Sequence, residues 1–431
     1  MKTNCLLASL AVAGFSASAS VPVVSNVSTS QDASRRVTVT YTLSEEPGVI
    51  TLTAQTNRGD NVWVDIGDEN LTFVSGDVNK IVPVGDHSLT WLPHKSWPGQ
   101  HITDGKIRIG VKAWAKSAPP DYMVVSLVSS NAVSFYASAK AIPGGVQDDK
   151  YKTEYLVMRK CPAANVTWRM GSPTSEKGRN SDNEEAHEVT LPADFYIGVY
   201  PVTQRQYELV KGERPSAFKL DSDYATRPVE MVPFDTFRGK AEDGYDWPND
   251  KHKVLADSFI GKLRTRSGME GFDLPTEAQW EFACRAGCGL AIYNGTEYAT
   301  VVEKSKFADP VGRYGWNGGY SDPANYKTDN KDKCDAKNGT PKVGSYDAND
   351  WGIYDMLGGV NEFCLDWGNN SLIGVDPTTG PTEGENGKRV IRGGGWNSPA
   401  SKQIRSAYRS RHAPADYSDS DGYRMCCPAE L

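Results

Sequence analysis

Between residues 20 and 138 the chain alternates apolar and polar positions. Val37-Thr38-Val39-Thr40-Tyr41-Thr42-Leu43 does so, as do Ile107-Arg108-Ile109-Gly110-Val111 and residues 123–127. In an extended chain successive side chains point to opposite faces, so each run predicts a strand with one face covered. Turn-forming residues separate the runs, at Asn57-Arg58-Gly59-Asp60 and at Gly85-Asp86-His87. Such residues either tolerate left-handed backbone or hydrogen-bond their own main chain. Beyond residue 150 long alternation gives way to a texture rich in Trp, Tyr, Gly and Asn, which predicts much irregular backbone. Two helices still stand out there. Thr203-Gln204-Arg205-Gln206 is a capping box closed by Gly212; Thr276-Glu277-Ala278-Gln279 is a second, preceded by Pro275 and followed by Gly287.

The first 19 residues read as a signal peptide: basic Lys2, an apolar run over 6–15, and a small-residue cleavage site at Ala17-Ser18-Ala19. Export follows, to the periplasm, the cell surface or the medium. No later run reaches the roughly 20 apolar residues of a membrane span. Short strands with regular turns over 20–138 predict an all-β sandwich of immunoglobulin or fibronectin type. Small residues from Ala137 to Gly145 mark a linker, placed at 139–149, with a second, irregular α+β domain over 150–431.

The net charge of −7 and the lack of a basic stripe argue against nucleic-acid binding. The densest cationic stretch, 405–412, reads as the rim of a pocket. Of eight cysteines, Cys5 lies in the leader; the odd remainder predicts disulfides plus a free thiol, and without paired CxxC motifs no zinc site is expected. Adjacent Cys426 and Cys427 should face opposite ways on an extended strand. His187 reads as a strand position and His87 as an exposed turn residue. A hydrolytic grouping of His187, His412 and Ser398 lacks the glycine pattern of a nucleophile elbow.

Several ordered segments resemble the formylglycine-generating enzyme, or sulfatase-modifying factor, family. They are Met170-Gly171-Ser172, Phe195-Tyr196-Ile197-Gly198, Pro201-Val202-Thr203-Gln204, Leu274-Pro275-Thr276-Glu277-Ala278-Gln279-Trp280-Glu281-Phe282, Trp351-Gly352-Ile353-Tyr354-Asp355-Met356, Arg392-Gly393-Gly394-Gly395-Trp396 and Gly422-Tyr423-Arg424. The resemblance implies a domain related to C-type lectins, with bound calcium. In the copper-dependent members two cysteines hold Cu(I), whose preference for soft thiolates is the chemical reason for them. Here those positions fall on Ser398 and Gln403, and no cysteine lies between Cys364 and Cys426. The family serine after the paired glycines is Gly395, and Asn361 replaces a family tryptophan. Copper is therefore not expected as a cofactor.

The calcium positions implied by the resemblance are retained. Asn325, Tyr326, Asp335 and Lys337 correspond to one site, and Asp355, Gly358, Val360 and Glu362 to another, mixing carboxylate and carbonyl oxygens as calcium requires. The family disulfide implies that Cys284 bonds Cys426, shifted one place because Met425 holds the family position, with Cys427 as the fallback. A ligand pocket is expected from Trp396, Ser398, Gln403, Arg405, Tyr408 and Arg411, suited to a peptide, a glycan or a small anion. These readings favour an exported, non-copper binding protein, with no catalytic residue assigned. A formylglycine-type oxidoreductase, another pocket-based enzyme and a structural cell-surface protein are the alternatives.

Overall fold

The computed structural model describes residues 20–98, 106–130, 132–219, 222–249, 252–317 and 339–431. The N-terminal strands form two antiparallel sheets. One runs Val23–Gln31, Val37–Ser44, Gly85–Trp91, Val74–Gly76 in spatial order; the other centres on Gly48–Asn57, flanked by Trp63–Asp65, Ile81–Val82 and Ile107–Trp114. The alternation now has its cause: Val39, Tyr41, Leu43, Leu89 and Trp91 from the first sheet pack with Ile50, Leu52 and Ala54 from the second. Gly85-Asp86-His87 is not a turn but the start of a strand, and His87 Nδ1 lies 3.0 Å from Asp77.

The expected boundary at 138 is displaced. Strands Tyr122–Ser126 and Val133–Tyr136 join a five-stranded antiparallel sheet with Tyr155–Cys161, Phe195–Gly198 and Cys426–Pro428. Every residue of Tyr122–Ser126 is buried, because both faces of this sheet are covered. Met123, Val125, Met158, Tyr196 and Cys427 enter one core. Val124 and Val157 enter a second, and Phe195, Ile197 and Cys426 a third. Cys426 and Cys427 thus face opposite ways. Residues 139–149 are no free linker: Ile142, 1% exposed, is packed with Tyr151, Val199 and Val343.

Both capping boxes form. Helix Gln204–Lys211 begins at Thr203 and stops at left-handed Gly212; helix Glu277–Arg285 begins at Thr276 and stops at left-handed Ala286, one residue before Gly287. A third helix, Phe259–Ser267, is capped by Ser258 and was not foreseen. His187 opens strand His187–Leu191, as expected. Among the described residues no helix is long and apolar enough to cross a membrane.

Candidate functional site

The segment expected to carry function follows strand Arg389–Arg392, which pairs with Asn361–Trp367 on one side and Arg409–His412 on the other. The chain then turns on Gly393 at φ +92° and Gly394 at φ +76°. A side chain on Gly393 would press on the Met356 carbonyl at 2.7 Å, so the turn needs glycine for space as well as for backbone angle. Trp396 is laid over the turn by its N–H on the Gly359 carbonyl (2.8 Å), with its indole N–H on the Asp419 carbonyl (3.0 Å) and its ring edge-on to Phe218. Ser398 is 3% exposed, and its Oγ accepts the Gly395 N–H at 2.9 Å. Gln403 ends the short helix Ala400–Gln403.

Arg405 does not face a ligand. It is fully buried, pairs with Glu184 (2.7 and 2.8 Å) and Glu176 (2.7 Å), and donates to the carbonyls of Gly178, Ser401 and Lys402. Arg411 is engaged by Asn370 and, at 3.3 Å, by Glu385, while Tyr408 is half-buried. The six residues therefore do not present their polar groups to one shared ligand. The cationic stretch is an internal tie, part of a wider set of buried pairs: Arg409 with Glu277, Arg392 with Glu281, Arg238 with Asp273 and Arg424 with Glu362. Irregular backbone explains this use of arginine. Its five N–H donors can satisfy several stray carbonyls at once.

Sequence reasoning missed two features near this turn. Glu230 is fully buried, accepts the N–H groups of Ala217 and Phe218, and burial pushes its carboxyl up to about 7. His412 Nδ1 bonds buried Asp421, which holds the imidazole's pKa above its ordinary value, and Asn361 donates to the other Asp421 oxygen at 2.9 Å. Asn361, in place of the family tryptophan, thus supports the His412–Asp421 pair. His412 was noted in the sequence, but its carboxylate partner lies on another strand and gave no local signal.

Of the calcium positions, Asn325, Tyr326, Asp335 and Lys337 lie outside the described residues. In the second group Asp355 is buried at φ +56°; its Oδ2 accepts the Gly344 N–H at 2.6 Å, while Oδ1 has no hydrogen-bond partner. Burial raises its pKa to about 6. An orphaned, buried carboxylate oxygen fits a cation. Glu362 does not fit in the same way: it receives Arg424 at 2.7–3.1 Å and the Trp280 indole N–H at 2.6 Å. Among the described residues no group of three or more His, Cys, Asp or Glu side chains is placed to hold a metal.

The expected disulfide is absent. All six described cysteines are free. Cys426 Sγ meets Gln279 Oε1 at 3.7 Å, whereas Cys284, more than a turn further along the same helix, meets Ser406 Oγ at 3.6 Å. The fallback partner Cys427 sits on the other face of the sheet.

The sequence profile of the sulfatase-modifying factor enzyme 1-like domain matches residues 157–428. The chaperone protein LppX of Paenibacillus barcinonensis is 31% identical over 227 residues, covering 48% of this chain and 71% of that protein. Serine/threonine-protein kinase Pkn1 of Chlamydia trachomatis is 29% identical over 258 residues, 56% of this chain and 34% of the kinase. The formylglycine-generating enzyme of Streptomyces coelicolor is 31% identical over 167 residues, 37% of this chain and 48% of that enzyme. The chain thus spans less than half the length of these last two relatives.

Proposed function

This chain belongs to the family of sulfatase-modifying factor enzyme 1-like domains, and from that premise we propose that it is an exported protein that works by binding another polypeptide, not by copper-dependent oxidation. One observation carries the reading. At the two positions that the resemblance assigns to the copper cysteines stand Ser398, buried with its hydroxyl engaged by the Gly395 N–H at 2.9 Å, and Gln403, a neutral amide. Neither supplies the soft anionic donor that Cu(I) selects. Five of the six described thiols give no ready substitute, since burial pushes Cys284 up to about 12 and Cys161, Cys364, Cys426 and Cys427 well above their ordinary value.

The likeness to a protein named as a chaperone supports a polypeptide partner over a glycan or a small anion. The paired N-terminal sheets, read as an immunoglobulin- or fibronectin-like sandwich, then serve as a spacer. Calcium, where bound, is structural: Asp355 Oδ1 with the carbonyls of Gly358 and Val360 would hold it, neutralising a buried charge. The deciding experiment is a Cu(I) titration combined with an assay for aldehyde on a Cys-x-Pro-x-Arg peptide. Neither tight copper binding nor aldehyde is expected; both together would replace the binding reading with an oxidase.

A further inference from the structure

The chain holds four Asn–Gly pairs, at 294–295, 317–318, 338–339 and 386–387. Gly318 and Asn338 lie outside the described residues, so two pairs can be compared whole. An asparagine followed by glycine carries a latent reaction. The glycine nitrogen can attack the asparagine side-chain carbon, because no side chain crowds its approach and the backbone there turns freely. How fast it does so in a folded protein depends on how firmly the amide and the local backbone are held.

The fold holds the two pairs differently. Asn294 is exposed, yet its amide is tied at both ends: Nδ2 donates to the Phe307 carbonyl at 3.1 Å, and Oδ1 accepts the Thr296 hydroxyl at 2.5 Å. The Gly295 N–H is engaged as well, on the Ile292 carbonyl at 3.1 Å, inside a turn closed by the Ile292–Thr296 bridge. Asn386 stands in the opposite condition. It lies in the loop joining strands Asn361–Trp367 and Arg389–Arg392, within a run, 385–388, that is exposed throughout. Among the described residues its side-chain amide has no hydrogen-bond partner. Its backbone, at φ +63° and ψ +24°, is in the left-handed region that asparagine visits more readily than most residues. The Gly387 N–H reaches the Gly384 carbonyl at 3.3 Å, a long bond, and open space surrounds the Gly387 α-carbon. Below this tip the loop is closed by the Gly368 N–H on the Lys388 carbonyl (2.8 Å) and the Glu385 N–H on the Gly368 carbonyl (3.0 Å). The tip can therefore rearrange without opening the sheet.

We propose that Asn386 is a site of spontaneous deamidation. The Gly387 nitrogen, having lost its proton to hydroxide, bonds to Asn386 Cγ; the Cγ–Nδ2 bond breaks and ammonia leaves. Water then opens the five-membered imide at either carbonyl, giving aspartate or isoaspartate at position 386. One water is consumed for each ammonia released, and nothing is oxidised or reduced. The chain becomes one charge more negative, and the new carboxylate stands beside Glu385, which already receives Arg411 and the Asn370 N–H, each at 3.3 Å. The loop thus changes its charge with the age of the molecule. The site depends on neither the binding reading nor the copper positions.

The test follows the full chain at mildly alkaline pH by peptide mass mapping, with a urea-unfolded sample beside it. Each asparagine is compared with its own rate in urea, which removes the effect of neighbouring sequence. In the folded chain Asn386 should gain one mass unit, as two separable isomers, within tenfold of its unfolded rate, while Asn294 should be slowed more than tenfold. Asn386→Gln should remove both the conversion at that position and the matching acidic shift in isoelectric focusing. An Asn386 slowed by folding as much as Asn294, an Asn386 that stays intact while the unfolded chain converts, or an undiminished acidic shift in Asn386→Gln would each overturn the proposal.

Discussion

Asp366 shows how a single buried side chain ties this fold to pH. It is 2% exposed, its Oδ2 accepts the Glu277 N–H at 2.7 Å, and burial, reinforced by the Glu277 carboxylate, pushes its pKa up to about 8. The folded state therefore binds this proton more tightly than the unfolded chain, whose carboxyl titrates near 4. Its contribution is most favourable below about pH 4, declines as pH rises and levels off above about pH 8. Asp366→Asn keeps an acceptor for the Glu277 N–H and removes the charge. Urea melts at pH 4, 6 and 8 should show a variant no more stable than the parent at pH 4 but ahead by roughly 1–3 kcal/mol at pH 8, at about 1.4 kcal/mol per pKa unit before relaxation. A constant difference across that range would show that the pKa is ordinary. Arg405 makes the complementary case. Removing it leaves Glu184, fully buried, without its main partner. Arg405→Met should cost about 3–5 kcal/mol, whereas an arginine reserved for a ligand would leave the melt unchanged.

At the scale of elements, the helix caps act beyond their own turns. Thr276 caps helix Glu277–Arg285 and also donates to the Pro377 carbonyl at 3.0 Å, so it ties the helix to a distant loop. Thr276→Ala should lose about 1–2 kcal/mol, the upper part of the range for an N-cap, because two hydrogen bonds go together. Thr276→Ser, which keeps the hydroxyl, should recover most of it. The loop carrying Asp355 is a second such element, irregular and held by a positive φ and one backbone donor. If Asp355 holds calcium as proposed, the parent melts higher in calcium than in excess chelator, by about 2.7 kcal/mol at a hundredfold excess over Kd. Asp355→Asn, losing the charge, should lose most of that difference; a parent melt indifferent to chelator would remove calcium from this loop.

For the whole molecule, the testable question is where one folding unit ends. Met123, Val125, Leu127 and Phe135 lie in the same core as Met158, Tyr196 and Phe259. A fragment starting at residue 139 would strip two strands from the five-stranded sheet and expose that core. Such a fragment should lack the dispersed amide spectrum of a folded domain, while one starting at 117 should have it. If the shorter fragment folds, the strands Tyr122–Ser126 and Val133–Tyr136 are dispensable additions.

Much of the architecture was legible without coordinates wherever the cause is local. The alternation at Val37–Ser44, the capping boxes at Thr203 and Thr276, the divergence of Cys426 and Cys427 and the ordered family segments depend on neighbours a few residues apart. So does the absence of thiols at Ser398 and Gln403. Other outcomes depend on which distant parts meet. Alternation predicted a strand near Met123 but not its sheet, because that choice rests on cover for both faces. A cluster of arginines reads alike in sequence whether it rims a pocket or fills a core; Arg405 is an internal strut because Glu184, 221 residues earlier, is folded against it. The Cys284–Cys426 pairing failed because the helix sets Gln279, not Cys284, opposite Cys426. The sequence alone determined the family and the local elements, while only the tertiary structure decided which charges are buried in pairs, since burial and partner supply belong to the packed chain.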